Sequence, residues 1–161
     1  MEGTGTEMLA RAGAGHQGVD ALWMSRLAID VGSELLVARS AALRRLISFL
    51  GSLGAGAMLL KGTDGNQLDI ADVHVTTMRH AQKKGLIRRN LDPVVLGTLV
   101  ASAYTGTLLR WSYGGIDDTH LGPMSRLGLV SIAASASTPS SRTGLEREMA
   151  ALNREAAAHS R

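Results

Sequence analysis

His16, His74, His80, His120 and His159 are the residues best suited to metal or proton chemistry, and their spacing works against both. His74 and His80 are the closest pair. Six residues on a helix turn through about 600°, so the two imidazoles diverge. No HExxH pattern occurs, and the absence of cysteine removes thiolate sites and disulfides. Asp69, Asp72 and Asp117-Asp118 sit where carboxylates begin helices, which explains them without acid–base work. Gly51-Ser52-Leu53-Gly54-Ala55-Gly56 is glycine-rich, but no Lys-Ser/Thr follows to complete a phosphate loop. No catalytic residue, metal or cofactor is expected, and the chain reads as no enzyme.

What remains is the chemistry of binding. Ligand sites are commonly apolar cavities with a few polar groups for orientation. Met24, Leu27 and Val31 on a first helix are candidate ligand-binding residues. His74 and Met78 on a middle helix, and Tyr104, Leu108 and Trp111 on a later one, complete the set. Plain core packing is the competing reading for Met24, Leu27, Met78 and Leu108. Tyr104 and Trp111 each carry a polar handle that burial must satisfy. A second set is made of small residues: Thr98, Ser102, Thr105 and Gly106, then Gly128, Ser131 and Ser135 on the next helix. Such faces let another backbone approach closely. They are candidates for a homodimer interface, with contact inside one chain as the alternative.

These side chains need helices to carry them, and the composition supplies helices. The chain has 161 residues, 45% of them hydrophobic but only 3% aromatic, which disfavours a β-sandwich. Seventeen basic residues face fourteen acidic ones for a net charge of +3. The pairs Arg44–Arg45, Lys83–Lys84 and Arg88–Arg89 are scattered and form no basic stripe for nucleic acid. Glu2 and Glu7 interrupt a beginning that has no apolar signal core. The longest charge-free run, Pro93 to Leu109, is diluted by Gly97, Thr98, Ser102 and Thr105, so it reads as a helix buried in protein. With no cysteine, a reducing, cytoplasmic setting is expected.

Periodicity predicts an all-α bundle of about five core helices with a short terminal one. Met24, Leu27, Ala28, Val31 and Leu35 form the inward stripe of the first. Gly32-Ser33 should break it and start a second helix, running to about Leu50 with Leu36, Leu43, Leu46 and Ile47 inward. Residues 51–67 read as a loop that includes the apolar Ala57–Leu60. A middle helix over Leu68–Lys84, with Leu68, Ala71, Val75 and Met78 inward, stops at Lys83-Lys84-Gly85. Asp92 caps the next, with Pro93 in its first turn, and Gly114-Gly115 ends it. A last core helix should begin near Gly122-Pro123. A flexible link over 137–142 should follow, then a helix opened by a Thr143/Glu146 capping box. The divisions are an N-terminal segment 1–18, a core domain 19–136, and a linker with terminal helix at 137–161.

The order of several weak motifs adds a family. Ala81-Gln82-Lys83-Lys84-Gly85-Leu86-Ile87-Arg88-Arg89-Asn90-Leu91-Asp92-Pro93 resembles the connector before the penultimate core helix of TetR-family effector domains. Val94-Val95-Leu96 through Ala103-Tyr104-Thr105-Gly106 is similar to the helix that follows it. Val19-Asp20-Ala21-Leu22, Arg26-Leu27-Ala28 and Leu36 through Arg44 look closest to the γ-butyrolactone-receptor branch. The resemblance spans roughly residues 7 to 136. It implies the ligand-sensing and dimerisation domain of a transcriptional repressor, binding a small hydrophobic effector and pairing through its last two core helices. Glu7–Arg11 then looks like the end of a connecting helix. DNA would be reached through a helix-turn-helix head, for which this sequence offers no candidate. Leu68–Lys84 lacks the tryptophan that branch carries in its middle helix, which argues against a butyrolactone. The alternatives are an interaction protein that pairs with full-length paralogues, and an unrelated helical enzyme or carrier.

Overall fold

The computed structural model describes residues 21–52 and 70–158, and these form an all-α bundle. Six helices appear among the described residues: α1 (Trp23–Ala38), α2 (Ser40–Ser52), α3 (Ile70–Lys83), α4 (Pro93–Ser112), α5 (Asp118–Ala136) and α6 (Pro139–Ala158). A single isolated bridge, Ile87 to Ser137, is the β pairing among them. The segment Glu7–Arg11, the apolar stretch Ala57–Leu60 and the expected helix start at Leu68 lie outside the described residues. α4 and α5 are central. α4 packs on α2, α3 and α5, while α5 also carries α1 and α6.

The helix ends follow local chemistry. Asp92 accepts the Val94 amide at 2.7 Å and Pro93 opens α4, as its sequence requires. α3 closes on Gly85 at φ +76°, with Gly85 N–H bonded to the Gln82 carbonyl and Leu86 N–H to that of Ala81. This is the paired bonding of a Schellman stop, and it needs the left-handed residue. Gly114, at φ +75°, ends α4 the same way.

The connector after α3 is stitched down rather than loose. Ile87 is fully buried, Gln82 Nε2 donates to the carbonyls of Arg88 and Leu91, and Arg88 N–H bonds the Ala136 carbonyl. Thr138 N–H returns the contact at the Leu86 carbonyl.

Three expectations are overturned. First, α1 runs straight through Gly32-Ser33, and the break falls at Arg39. Gly32 serves close packing: a Cβ there would stand 2.7 Å from the Tyr104 hydroxyl oxygen. The inward face of α1 is Leu22, Ser25, Ile29 and Ser33, whereas Val31 and Leu35 are exposed. Leu46 of α2, expected inside, is also exposed, and Ile47 takes the buried position.

Second, α5 begins at Asp118, a full turn before Gly122-Pro123, capped by the Asp117 carboxylate on the Thr119 and His120 amides. A proline inside a helix costs about 3 kcal/mol. The cap contributes about 1 kcal/mol and the burial of Leu121 about 1.5–3 kcal/mol, enough to carry the extra turn. Third, the expected link over 137–142 shrinks to Ser137-Thr138. α6 starts at Pro139, so Thr143 lies inside it, and the helix is long rather than short. Its Leu145 and Leu152 join the common core, with Met149 packed against it.

Candidate functional site

Three buried rings with polar atoms, His74 on α3 and Tyr104 and Trp111 on α4, are each held differently. On α3, His74 is fully buried with Nδ1 2.7 Å from Ser25 Oγ of α1. Its Nε2 is buried and has no hydrogen-bond partner. Burial pushes its pKa down to about 4, so the ring is neutral near pH 7.

Near the middle of α4, Tyr104 is almost wholly buried, with its hydroxyl seated on Gly32. Burial raises its pKa; Ser33 beside it opposes that shift and Asp30 adds to it. Ser33 acts on Tyr104 as a hydrogen-bonding neighbour, and Asp30 acts through its charge.

At the end of α4, Trp111 is fully buried and its Nε1 donates to Asp118 Oδ1 at 2.8 Å. Arg44 of α2 pairs with the same oxygen, and its guanidinium lies 4.6 Å from the indole centroid. The Trp111 hydrogen bond, then that of Arg44, holds the Asp118 carboxyl below the usual carboxylate range. A helix-start aspartate thus does a second task that its sequence position does not announce.

The candidate ligand residues divide accordingly. Met78, Tyr104, Leu108 and Trp111 share one buried cluster, and His74 is buried beside Ser25. Met24 and Leu27 are half-buried on the flank of α1, and Val31 is exposed, so the α1 third of the set does not line the interior as expected. The partners Ser25, Ser33, Arg44 and Asp118 were missed. Serines inside a helical stripe read as polar-face residues, and nothing in a seven-residue separation marks Trp111 for Asp118.

The small-residue set divides too. Thr98, Ser102, Gly106 and Ser135 are exposed, and a Cβ added at Gly106 would meet open space. Thr105 is buried and bonds the Ala101 carbonyl, while Gly128 faces Ala103 of α4 at 3.3 Å from its would-be Cβ. Those two belong to packing within the chain. Ser131 is half-buried.

Outside this seam, a cleft of about 310 Å³ opens between α1 and the first turns of α5. Asp30 and Arg126 pair across it at 3.3 Å, and burial raises the Asp30 pKa against the opposing pull of Arg126. Among the described residues no group of three or more His, Asp or Glu side chains is placed to hold a metal ion. None of their helices is long and apolar enough to cross a membrane. Comparison with family models, curated proteins and solved structures gives no match to this chain.

Proposed function

We propose that the chain is the ligand-sensing and dimerisation domain of a TetR-type transcriptional repressor, working as a cytoplasmic homodimer. The observation that carries this reading is the outer face of α4. Val94, Val95 and Leu99 are 47%, 55% and 50% exposed, and they adjoin exposed Thr98, Ser102 and Gly106. A strip that joins large apolar groups to small ones is costly to leave in water and well shaped for a second helix pair. Its occupant is a second copy of the chain, whose α4 and α5 complete a four-helix interface about a two-fold axis.

The effector side of the proposal rests on His74. A buried nitrogen without a partner costs about 1–3 kcal/mol, which a bound hydrogen-bonding group would relieve. A small, mostly apolar molecule that brings one polar group to Nε2 would meet that need. Its binding would shift the spacing of two DNA-reading heads and so release the operator.

Light scattering of the purified chain tests the assembly. The expected mass is twice that of one chain, and Gly106→Leu should shift it towards monomer by overpacking the interface at about 1–3 kcal/mol. A monomeric wild type at micromolar concentration refutes the reading.

A further inference from the structure

The three basic pairs that look scattered in the sequence are not scattered equally in the fold. Arg44 is engaged by Asp118 and Trp111 at the C-terminal end of α4. Lys83-Lys84 and Arg88-Arg89 meet at the opposite end, where α3 stops and α4 begins. Gln82 Nε2 bonds the carbonyls of Arg88 and Leu91, which folds the connector back against the last turn of α3. Arg79 and Lys83, one helical turn apart, share the face of α3 that bears Gln82. Residues 79–89 thus gather five cations, and no Asp or Glu occurs between Asp72 and Asp92. They outnumber the chain's whole net charge of +3, so the rest of the molecule is net negative.

All five are exposed, and none enters an ion pair among the described residues. Helix ends account for part of the cluster. Lys83 and Lys84 suit the C-terminus of α3, and Arg88 donates to the Ser135 and Ala136 carbonyls that close α5. Arg79 and Arg89 have no such task, and Arg79 repels Lys83 across one turn. The surface is also fixed in place, by the Gly85 stop, the Ile87–Ser137 bridge and the Thr138 bond to the Leu86 carbonyl. A fixed surface of like charge concentrates anions, most strongly those of high charge density.

The surroundings narrow the choice of anion. No large apolar side chain is exposed from Arg79 to Asp92, so nothing there inserts into lipid or grips the apolar face of an acidic helix. No aromatic residue lies in that stretch to stack on an unpaired base. A duplex backbone needs neither.

We infer that the end of the bundle carrying Arg79, Lys83, Lys84, Arg88 and Arg89 binds the phosphate backbone of duplex DNA without reading its sequence. Each cation that meets a phosphate releases a condensed counterion, which is the driving force of such contacts. The surface is independent of the proposed effector pocket and of dimerisation.

The test is fluorescence anisotropy of the full chain with two unrelated labelled duplexes of about 20 base pairs, at salt from about 20 to 200 mM. Both should bind alike, with affinity falling on a log–log plot at a slope of about −4, as for roughly four phosphates. Arg79→Gln/Arg89→Gln should weaken binding about tenfold or more and make the slope shallower by about two. Arg45→Gln/Arg110→Gln removes the same charge from exposed positions at the Trp111 end, Arg110 lying about 25 Å along α4 from Pro93. Compared at about 0.1 M salt, where screening acts within about 10 Å, that variant should stay within about twofold of the wild type. Poly-L-glutamate, and vesicles of phosphatidylcholine and phosphatidylserine at about 2:1, carry charge less densely and should compete poorly at equal charge. Circular dichroism checks that each variant is folded. No binding at about 20 mM salt, a slope shallower than about −2, or an equal loss in Arg45→Gln/Arg110→Gln would each overturn the inference. So would a salt-resistant preference for one duplex, or equal competition by polyglutamate or vesicles.

Discussion

The two ends of the buried polar seam treat their aromatic nitrogens in opposite ways. At the Trp111 end the single indole N–H is used by Asp118, the carboxylate is neutralised by Arg44, and the arginine also covers the ring. Charge stays at the rim, where the Asp118 side chain is 41% exposed, and only the apolar ring goes inside. At the His74 end both ring nitrogens are inside, and Ser25 engages only one. The first arrangement matches the indole N–H and the carboxylate to each other. The second leaves a buried valence open. Trp111 is fully buried with its polar atom matched, while His74 is fully buried with one nitrogen unmatched.

Removing Trp111 should give the largest effect. Trp111→Ala empties the bulkiest fully buried position and leaves Arg44 and Asp118 without their cover. Destabilisation of about 3–5 kcal/mol is expected from chemical denaturation. A loss under 1 kcal/mol would show that the ring is not a packing element.

Acid should separate the two ends. His74 has a folded pKa of about 4 against an ordinary value of 6.5, so the unfolded chain binds the proton first as pH falls. The contribution of neutral His74 is whole above pH 6.5 and is lost between 6.5 and about 4, at up to about 1.4 kcal/mol per pH unit. Asp118 has a lowered folded pKa, so its contribution is present above 3.8 and is lost only below that. Stability measured from pH 8 to 3 should therefore fall in two stages. His74→Leu should flatten the first and leave the second.

Ser25→Ala should cost about 1–3 kcal/mol by leaving both nitrogens of His74 buried and unbonded. In the double variant Ser25→Ala/His74→Leu no polar atom of the pair remains, and most of that loss should be recovered. A double variant less stable than the sum of the singles would contradict the isolated-pair description. Asp118→Asn should have the smallest effect, within about 1 kcal/mol, because the Arg44 pair is part-exposed. The amide oxygen can still accept from Trp111. Its thermal midpoint should move less than that of Ser25→Ala.

The same contrast governs what could be read in advance. Asp92-Pro93, Lys83-Lys84-Gly85 and Gly114-Gly115 announce their helix ends because capping is settled within a few residues. The face of α1 could not be read that way. Its apolar stripe points to Met24, Leu27 and Val31, but Ser25 and Ser33 turn inward with Ile29. The reason lies on other helices: His74 receives Ser25, and Tyr104 occupies the space left by Gly32. The same glycine that signals a break in isolation makes room inside an unbroken α1 for the Tyr104 hydroxyl.

Sequence by itself determined that the described chain is helical, where α3 and α4 stop, and that Met78, Tyr104, Leu108 and Trp111 share an interior. Those properties follow from periodicity and from hydrogen bonds closed within one turn. Tertiary structure decided which way α1 is rotated, that α5 starts at Asp118, that Asp118 serves Trp111, and that Asp30, Ser33 and Glu34 border one cleft with Arg126. Each depends on a partner brought from another helix. Burial makes an unmatched hydroxyl, imidazole or carboxylate cost more than an exposed valine, so it is the partners that set the rotation.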